Sequence, residues 1–97
     1  MSLENIQSAV IDVLKQVQQL SGRAWEGLPN TGIPLNDLAG FDSLCSVEAT
    51  VMIEERLGCG ELKAVSFFIS EDGTRPLSIL EISTRIQNLI STVKGNQ

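Results

Sequence analysis

The chain has 97 residues, 42% of them apolar, and a formal charge of −5; that is enough for one small core and too little for a second. The acidic balance argues against a general nucleic-acid binder, whose affinity comes from Lys and Arg on phosphates, and favours partners with positive surfaces. The count of zero histidines and two cysteines removes Ser–His and Cys–His catalysis, His-containing zinc sites and four-thiolate zinc sites.

In chain order, Leu3, Ile6, Val10, Val13, Leu14, Val17 and Leu20 recur at three- and four-residue steps. At about 100° per residue they form one stripe, with Glu4, Asp12, Lys15 and Gln19 mostly off it. The spacing predicts an amphipathic helix over 3–20, ended by Ser21-Gly22. Its charges leave no segment apolar enough to span a membrane. The N-terminus has no basic region followed by an apolar run and a small-residue cleavage site, so no secretory signal is expected. Cys45 and Cys59 are then read as free thiols in a reducing cytoplasm.

Residues 21–41 carry Gly22, Gly27, Pro29, Asn30, Gly32, Pro34 and Gly40, which predicts a long loop. A loop of that length needs anchoring. Trp25, Leu28, Ile33, Leu35 and Leu38 are available for it, and Trp25 is read as an anchor rather than a ligand contact.

A second helix is predicted over 43–57. Asp42 and Ser43 are both good N-cap types, and Gly58 suits the position after the C-terminus. On a helical wheel this segment shows two faces. Ala49, Ile53 and Leu57 share one arc with Ser46 and Thr50. Leu44, Val47 and Val51 fall on the opposite arc, flanked by Glu48, Glu54 and Glu55. Either the helix is buried on both sides, in a bundle with few covering surfaces, or the second arc is a strip that docks a basic, partly apolar patch on a partner.

Residues 59–76 admit two readings. Phe67-Phe68-Ile69 followed by Glu71-Asp72-Gly73-Thr74 could be a strand and a hairpin turn. Pro76 demotes the returning strand, and a lone two-stranded hairpin is marginal, so a short helix over 63–69 is preferred. The last helix, 78–93, is announced by the capping box Ser78-Ile79-Leu80-Glu81. Ile79, Ile82, Ile86, Leu89, Ile90 and Val93 make its stripe, and Gly95 ends it. The expected fold is all-α: one domain over 1–97, a small three- to four-helix bundle with a long loop between the first and second helices.

The stretch Gly40-Phe41-Asp42-Ser43-Leu44 carries the functional question. Ser43 can be a helix cap, a nucleophile or an attachment point. Without histidine, and with no lysine in a recognisable motif, the nucleophile reading falls away, so no catalytic residue and no metal ligand are assigned. A helix start welcomes an anion, although Asp42 partly offsets this. Cys45 is read as a small apolar filler in preference to a reactive thiol. Cys59 is given no role.

This context resembles the acyl carrier protein family. Gly40, Asp42, Ser43 and Leu44 match the family's G-x-D-S-L, Val47-Glu48 and Ile53-Glu54-Glu55 resemble its second helix, and Ser78-Ile79 through Ile86 looks like the opening of its last helix. The resemblance implies a monomeric, non-enzymatic cytoplasmic carrier. Ser43 would bear 4′-phosphopantetheine from coenzyme A, and an acyl or related intermediate would ride on it as a thioester in fatty acid, polyketide or lipid biosynthesis. Its partners would be a phosphopantetheinyl transferase and acyl-transferring or synthase enzymes with basic patches, docking on Leu44, Val47, Glu48, Val51, Glu54 and Glu55. Cys45 stands where an acidic residue is common in the family, Arg56 interrupts the acidic run, and 58–76 is longer than usual, which points to a specialised member. The alternative is an unmodified helical interaction module that binds a partner through Leu44, Val47 and Val51.

Overall fold

The computed structural model describes residues 2–60, 62, 64 and 66–95, with side chains described as far as Thr92. Four helices account for the regular structure among these residues: α1 (Leu3–Leu20), α2 (Pro34–Asp37), α3 (Ser43–Leu57) and α4 (Ile79–Gly95). The protein is therefore all-helical, consistent with a small helical bundle. No helix among the described residues is long and apolar enough to cross a membrane.

Ser2 caps α1 by accepting from the Asn5 N–H at 3.2 Å. The helix buries Ile6, Ala9, Val10, Val13, Leu14 and Val17, one continuous face of the predicted stripe. Leu20 shares the spacing but is 72% exposed at the end of the helix, although Val17 and Gln18 in the same turn are buried. With that face α1 packs against both α3 and α4. Ile53 and Ala49 of α3 and Ile79, Ile82, Ile86 and Ile90 of α4 complete the core from either side. Val93, the last residue of the predicted α4 stripe, lies outside the described side chains.

The loop from 21 to 42 is held at both ends. Gln18, buried near the end of α1, accepts from the Arg23 backbone N–H through its own carbonyl at 2.8 Å. Its side-chain amide donates to the Ala39 carbonyl at 3.0 Å. In the middle, the carbonyls of Gly32 and Asn30 accept from the N–H groups of Ile79 and Leu80 at 3.0 Å each. Ser78 and Glu81 close the capping box, Ser78 Oγ accepting from the Glu81 N–H at 3.2 Å and Glu81 Oε1 from the Ser78 N–H at 3.0 Å. The open N–H groups at the start of α4 thus find partners in the loop and in the box. Trp25, Leu28, Leu35 and Leu38 add apolar contacts to the core. Within the loop, α2 forms one short turn beginning at Pro34, where the ring's fixed φ suits the first helical position.

The preferred helix at 63–69 is not what the chain forms. Lys63 and Val65 lie outside the described residues; residues 66–69 carry no helix and lead into a tight hairpin with one antiparallel bridge, Ile69 to Pro76. The flanking bonds run from Ser70 N–H to the Arg75 carbonyl (2.8 Å) and from Leu77 N–H to the Phe68 carbonyl (2.9 Å). Ile69 and Pro76 therefore form a non-hydrogen-bonded pair, where a missing N–H removes nothing from the ladder. The proline objection does not apply at that register.

Side chains supply the support that a larger sheet would have given. Leu62 N–H donates to Glu54 Oε2 at 2.7 Å, and Phe67 N–H to Thr50 Oγ1 at 3.0 Å. Ser66 Oγ donates to Ser46 Oγ at 3.1 Å. From the other side, Arg85 Nη1 of α4 donates to the carbonyls of Ser66 and Ile69 at 2.6 and 2.7 Å. Leu62, Phe67 and Phe68 are buried. The segment is a strap fastened to α3 and α4 together.

Candidate functional site

The surroundings of Ser43 are built by its neighbours. Gly40 takes φ +69°, and a Cβ there would stand 2.3 Å from the Arg23 guanidinium carbon. The left-handed backbone calls for glycine; the Arg23 guanidinium is the end of a flexible side chain that can move aside. Phe41 then turns into the core, 2% exposed, with its ring edge-on to Phe68 of the strap at 5.3 Å between centroids and 63° between planes. With Phe41 anchored inward, Asp42, Ser43 and Leu44 are left at the surface.

Asp42 is the N-cap of α3, its Oδ1 accepting from the Cys45 N–H at 3.0 Å. That bond holds the Asp42 carboxyl below its ordinary range, against a smaller opposing effect of burial. Ser43 is the first helical residue and is exposed, and its carbonyl accepts from Ser46 Oγ at 2.7 Å. The cap is therefore Asp42 and not Ser43, and the Ser43 side chain is left at the open start of the helix. Cys45 packs partly against the core and its thiol points to the Gly40 carbonyl at 3.8 Å. Cys59 also packs partly against the core, and burial pushes its thiol pKa up.

The two faces of α3 separate as the wheel places them. Ser46, Ala49, Thr50 and Ile53 are buried, and Leu57 is half-buried. Leu44, Val47 and Val51 are 78%, 38% and 49% exposed, so the helix is not covered on both sides. Glu48 and Glu55 flank that exposed strip in solvent. Glu54 is half-buried and engaged with the strap, while Arg56 reaches Asp12 of α1 at 3.0 Å in an exposed pair.

Two further features escaped the residue pattern, because both depend on where the hairpin lands. Beside Ser43 opens a cleft of about 310 Å³ whose walls include Leu35 and Asn36 of α2 and Thr74, Arg75 and Pro76 of the hairpin. On the far side of the hairpin a larger groove of about 1110 Å³ runs along the outer face of α4, past Leu77, Leu80 and Leu89. Arg75 lines both and pairs with Glu81 at 2.9 Å. The hairpin turn is itself fixed: Ser70 Oγ and Thr74 Oγ1 both donate to Asp72 Oδ1, which lowers the Asp72 pKa from 3.8 to about 2. Compared with protein-family models, with curated proteins and with solved structures, the chain matches none.

Proposed function

We propose that this protein is a carrier whose Ser43 bears a 4′-phosphopantetheine arm, on which an acyl or related intermediate travels as a thioester between partner enzymes. The observation that carries the reading is the exposed Ser43 at the first position of α3, with Leu44, Val47 and Val51 exposed along the same helix. A modifying or acyl-transferring enzyme that grips the strip would find the serine at its end. The acidic side chains Asp42, Glu48 and Glu55 favour partners with basic patches around an apolar centre.

The residues present fit such a group. Ser43 is exposed with space beside it at a helix start, where an anion is favoured, although Asp42 already takes the Cys45 and Ser46 N–H groups. Asp42, one residue away, remains ionised and opposes that attraction, so the site suits a singly charged diester better than a more highly charged monoester. The arm, when bound, supplies the thiol that forms the thioester. The chain contributes the tether point and the docking surface, and no catalytic group.

Treatment with coenzyme A and a phosphopantetheinyl transferase tests this. Intact-mass measurement should show one pantetheine addition on the wild type and none on Ser43→Ala. No addition under conditions that load a control carrier would overturn the reading, as would addition to Ser43→Ala. If Ser43→Ala keeps full partner binding and function in cells while Leu44 substitutions lose both, the exposed strip acts as an unmodified interaction surface instead.

A further inference from the structure

We propose that the cleft beside Ser43 seats the arm itself, with Arg75 and Asn36 holding the phosphate and Leu35, Ile69 and Pro76 supporting the branched apolar carbons that follow it. This rests on the reading of Ser43 as the attachment point. The expected alternative for such an arm is free motion in solvent, and the structure offers a specific reason against it. Ser43 is part of the cleft wall, so a group on its hydroxyl begins its path at the mouth.

The lining offers both kinds of chemistry that the arm presents. Asn36, Thr74 and Arg75 are polar and include one cation, while Leu35, Ile69 and Pro76 are apolar. A pantetheine phosphodiester offers an anionic group first and a dimethyl-substituted carbon next. Arg75 suits the first role. One of its nitrogens donates to Glu81 in an exposed pair, which holds the side chain only weakly, and the guanidinium has five N–H donors in all. Of the other described arginines, Arg56 pairs with Asp12, Arg85 donates to two strap carbonyls and Arg23 donates to Gln18 Oε1 at 3.4 Å; none of the three lines this cleft.

Geometry and charge favour the same seat. Arg75 lies on a turn already ordered, its N–H on Ser70 Oγ at 3.1 Å and its carbonyl accepting from the Ser70 N–H at 2.8 Å. The Asp42 carboxylate, also in the lining, repels a phosphate from its own side of the cleft and so toward Arg75. Because the arm is covalently tethered, the contacts act at high effective concentration, and individually weak ones suffice. Ile69, Gly73 and Arg75 line both this cleft and the groove on α4, so the hairpin stands between the two.

The test uses the isotope-labelled full chain, loaded on Ser43 by transferase and verified by intact mass, and compares its amide and phosphorus NMR spectra with those of unloaded protein. Loading should shift the amides of Asn36, Gly73, Thr74 and Arg75 as well as those adjoining Ser43. In Arg75→Gln loaded to the same mass, the shifts at 36 and 73–74 should disappear and the phosphorus resonance should move to that of an unfolded loaded peptide. Arg75→Lys should restore part of both. Asn36→Ala, a change at an exposed position, should reduce the same shifts without touching the hairpin. Complete loading with shifts confined to 42–46 would overturn the seat and leave the attachment reading standing. Shifts at 73–75 that survive Arg75→Gln unchanged would overturn the role of Arg75. Failure to load at all would overturn both.

Discussion

The two faces of α3 invert the usual arrangement. Facing the core it places the hydroxyls of Ser46 and Thr50 beside Ala49 and Ile53; facing solvent it places Leu44, Val47 and Val51. The inner hydroxyls are there for a backbone. Thr50 Oγ1 donates to the Ser46 carbonyl at 2.8 Å and accepts from the Phe67 N–H, and Ser46 Oγ donates to the Ser43 carbonyl while accepting from Ser66. A strap with neither helix nor sheet around it must find partners for its buried N–H groups, and side chains of α3 provide them. The outer face makes no such bonds; its apolar residues stand in solvent, and the docking role proposed for them is what the variants below test.

The comparison can be broken most forcefully from the inside. Ile53 is fully buried in the core, and Ile53→Ala should destabilise the protein by about 2–5 kcal/mol, read from denaturant unfolding midpoints. Thr50→Val is sharper, since it keeps shape and removes only the hydroxyl. It leaves the buried Phe67 N–H without its acceptor, for a loss of about 1–3 kcal/mol. Amide exchange at Phe67 should accelerate by more than exchange within α1. An unchanged midpoint in Thr50→Val would mean that the strap does not depend on the inner hydroxyls.

This is also where legibility in the sequence ends. The stripe of α1 and the capping box at Ser78 are local patterns, and each is present in the structure as a buried face and a pair of reciprocal bonds. Ser46 and Thr50 could be placed on the inner arc by spacing alone. Their reason for being polar could not, because their partners lie 20 and 17 residues further along. The hairpin that follows Phe67 is hidden in the sequence for the same cause. Locally the segment has too little support for a hairpin, and the support comes from Glu54, Thr50 and Arg85 on two other elements. At the candidate site, the exposure of Ser43 and Leu44 follows from Phe41 turning inward. The cleft required knowing that the hairpin turn returns beside α2.

Acid should reveal smaller differences at the ends of these elements. Asp42, Asp72 and Glu81 all have folded-state pKa values below their ordinary ones, each held down chiefly by hydrogen bonds: from Cys45 to Asp42, from Ser70 and Thr74 to Asp72, and from Ser78 and Arg75 to Glu81. A carboxylate depressed on folding adds stability above its ordinary pKa and loses it as pH falls through the folded value. For Asp72 that window runs from 3.8 down to about 2. Thermal midpoints should decline over that interval, and Asp72→Asn should make the decline shallower. Asp42→Asn should keep a capping acceptor and remove that residue's share of the pH dependence, while Asp42→Ala should lose the cap as well. All three carboxylates are near the surface, so each effect should fall below that of Thr50→Val.

The smallest expected change belongs to the outer face. Leu44→Ser and Val51→Ser remove apolar atoms that already stand in water, so each should shift stability by no more than about 0.5 kcal/mol. That small number gives the comparison its force. A loss of more than about 1 kcal/mol from Leu44→Ser would mean that the residue is covered in the folded protein, since exposed substitutions rarely reach that size. The strip would then be part of the core arrangement. A midpoint that stays put, combined with slower loading of Ser43 by the transferase, would separate folding from recognition on one helix. The buried hydroxyls would hold the strap, and the exposed apolar residues would hold the partner.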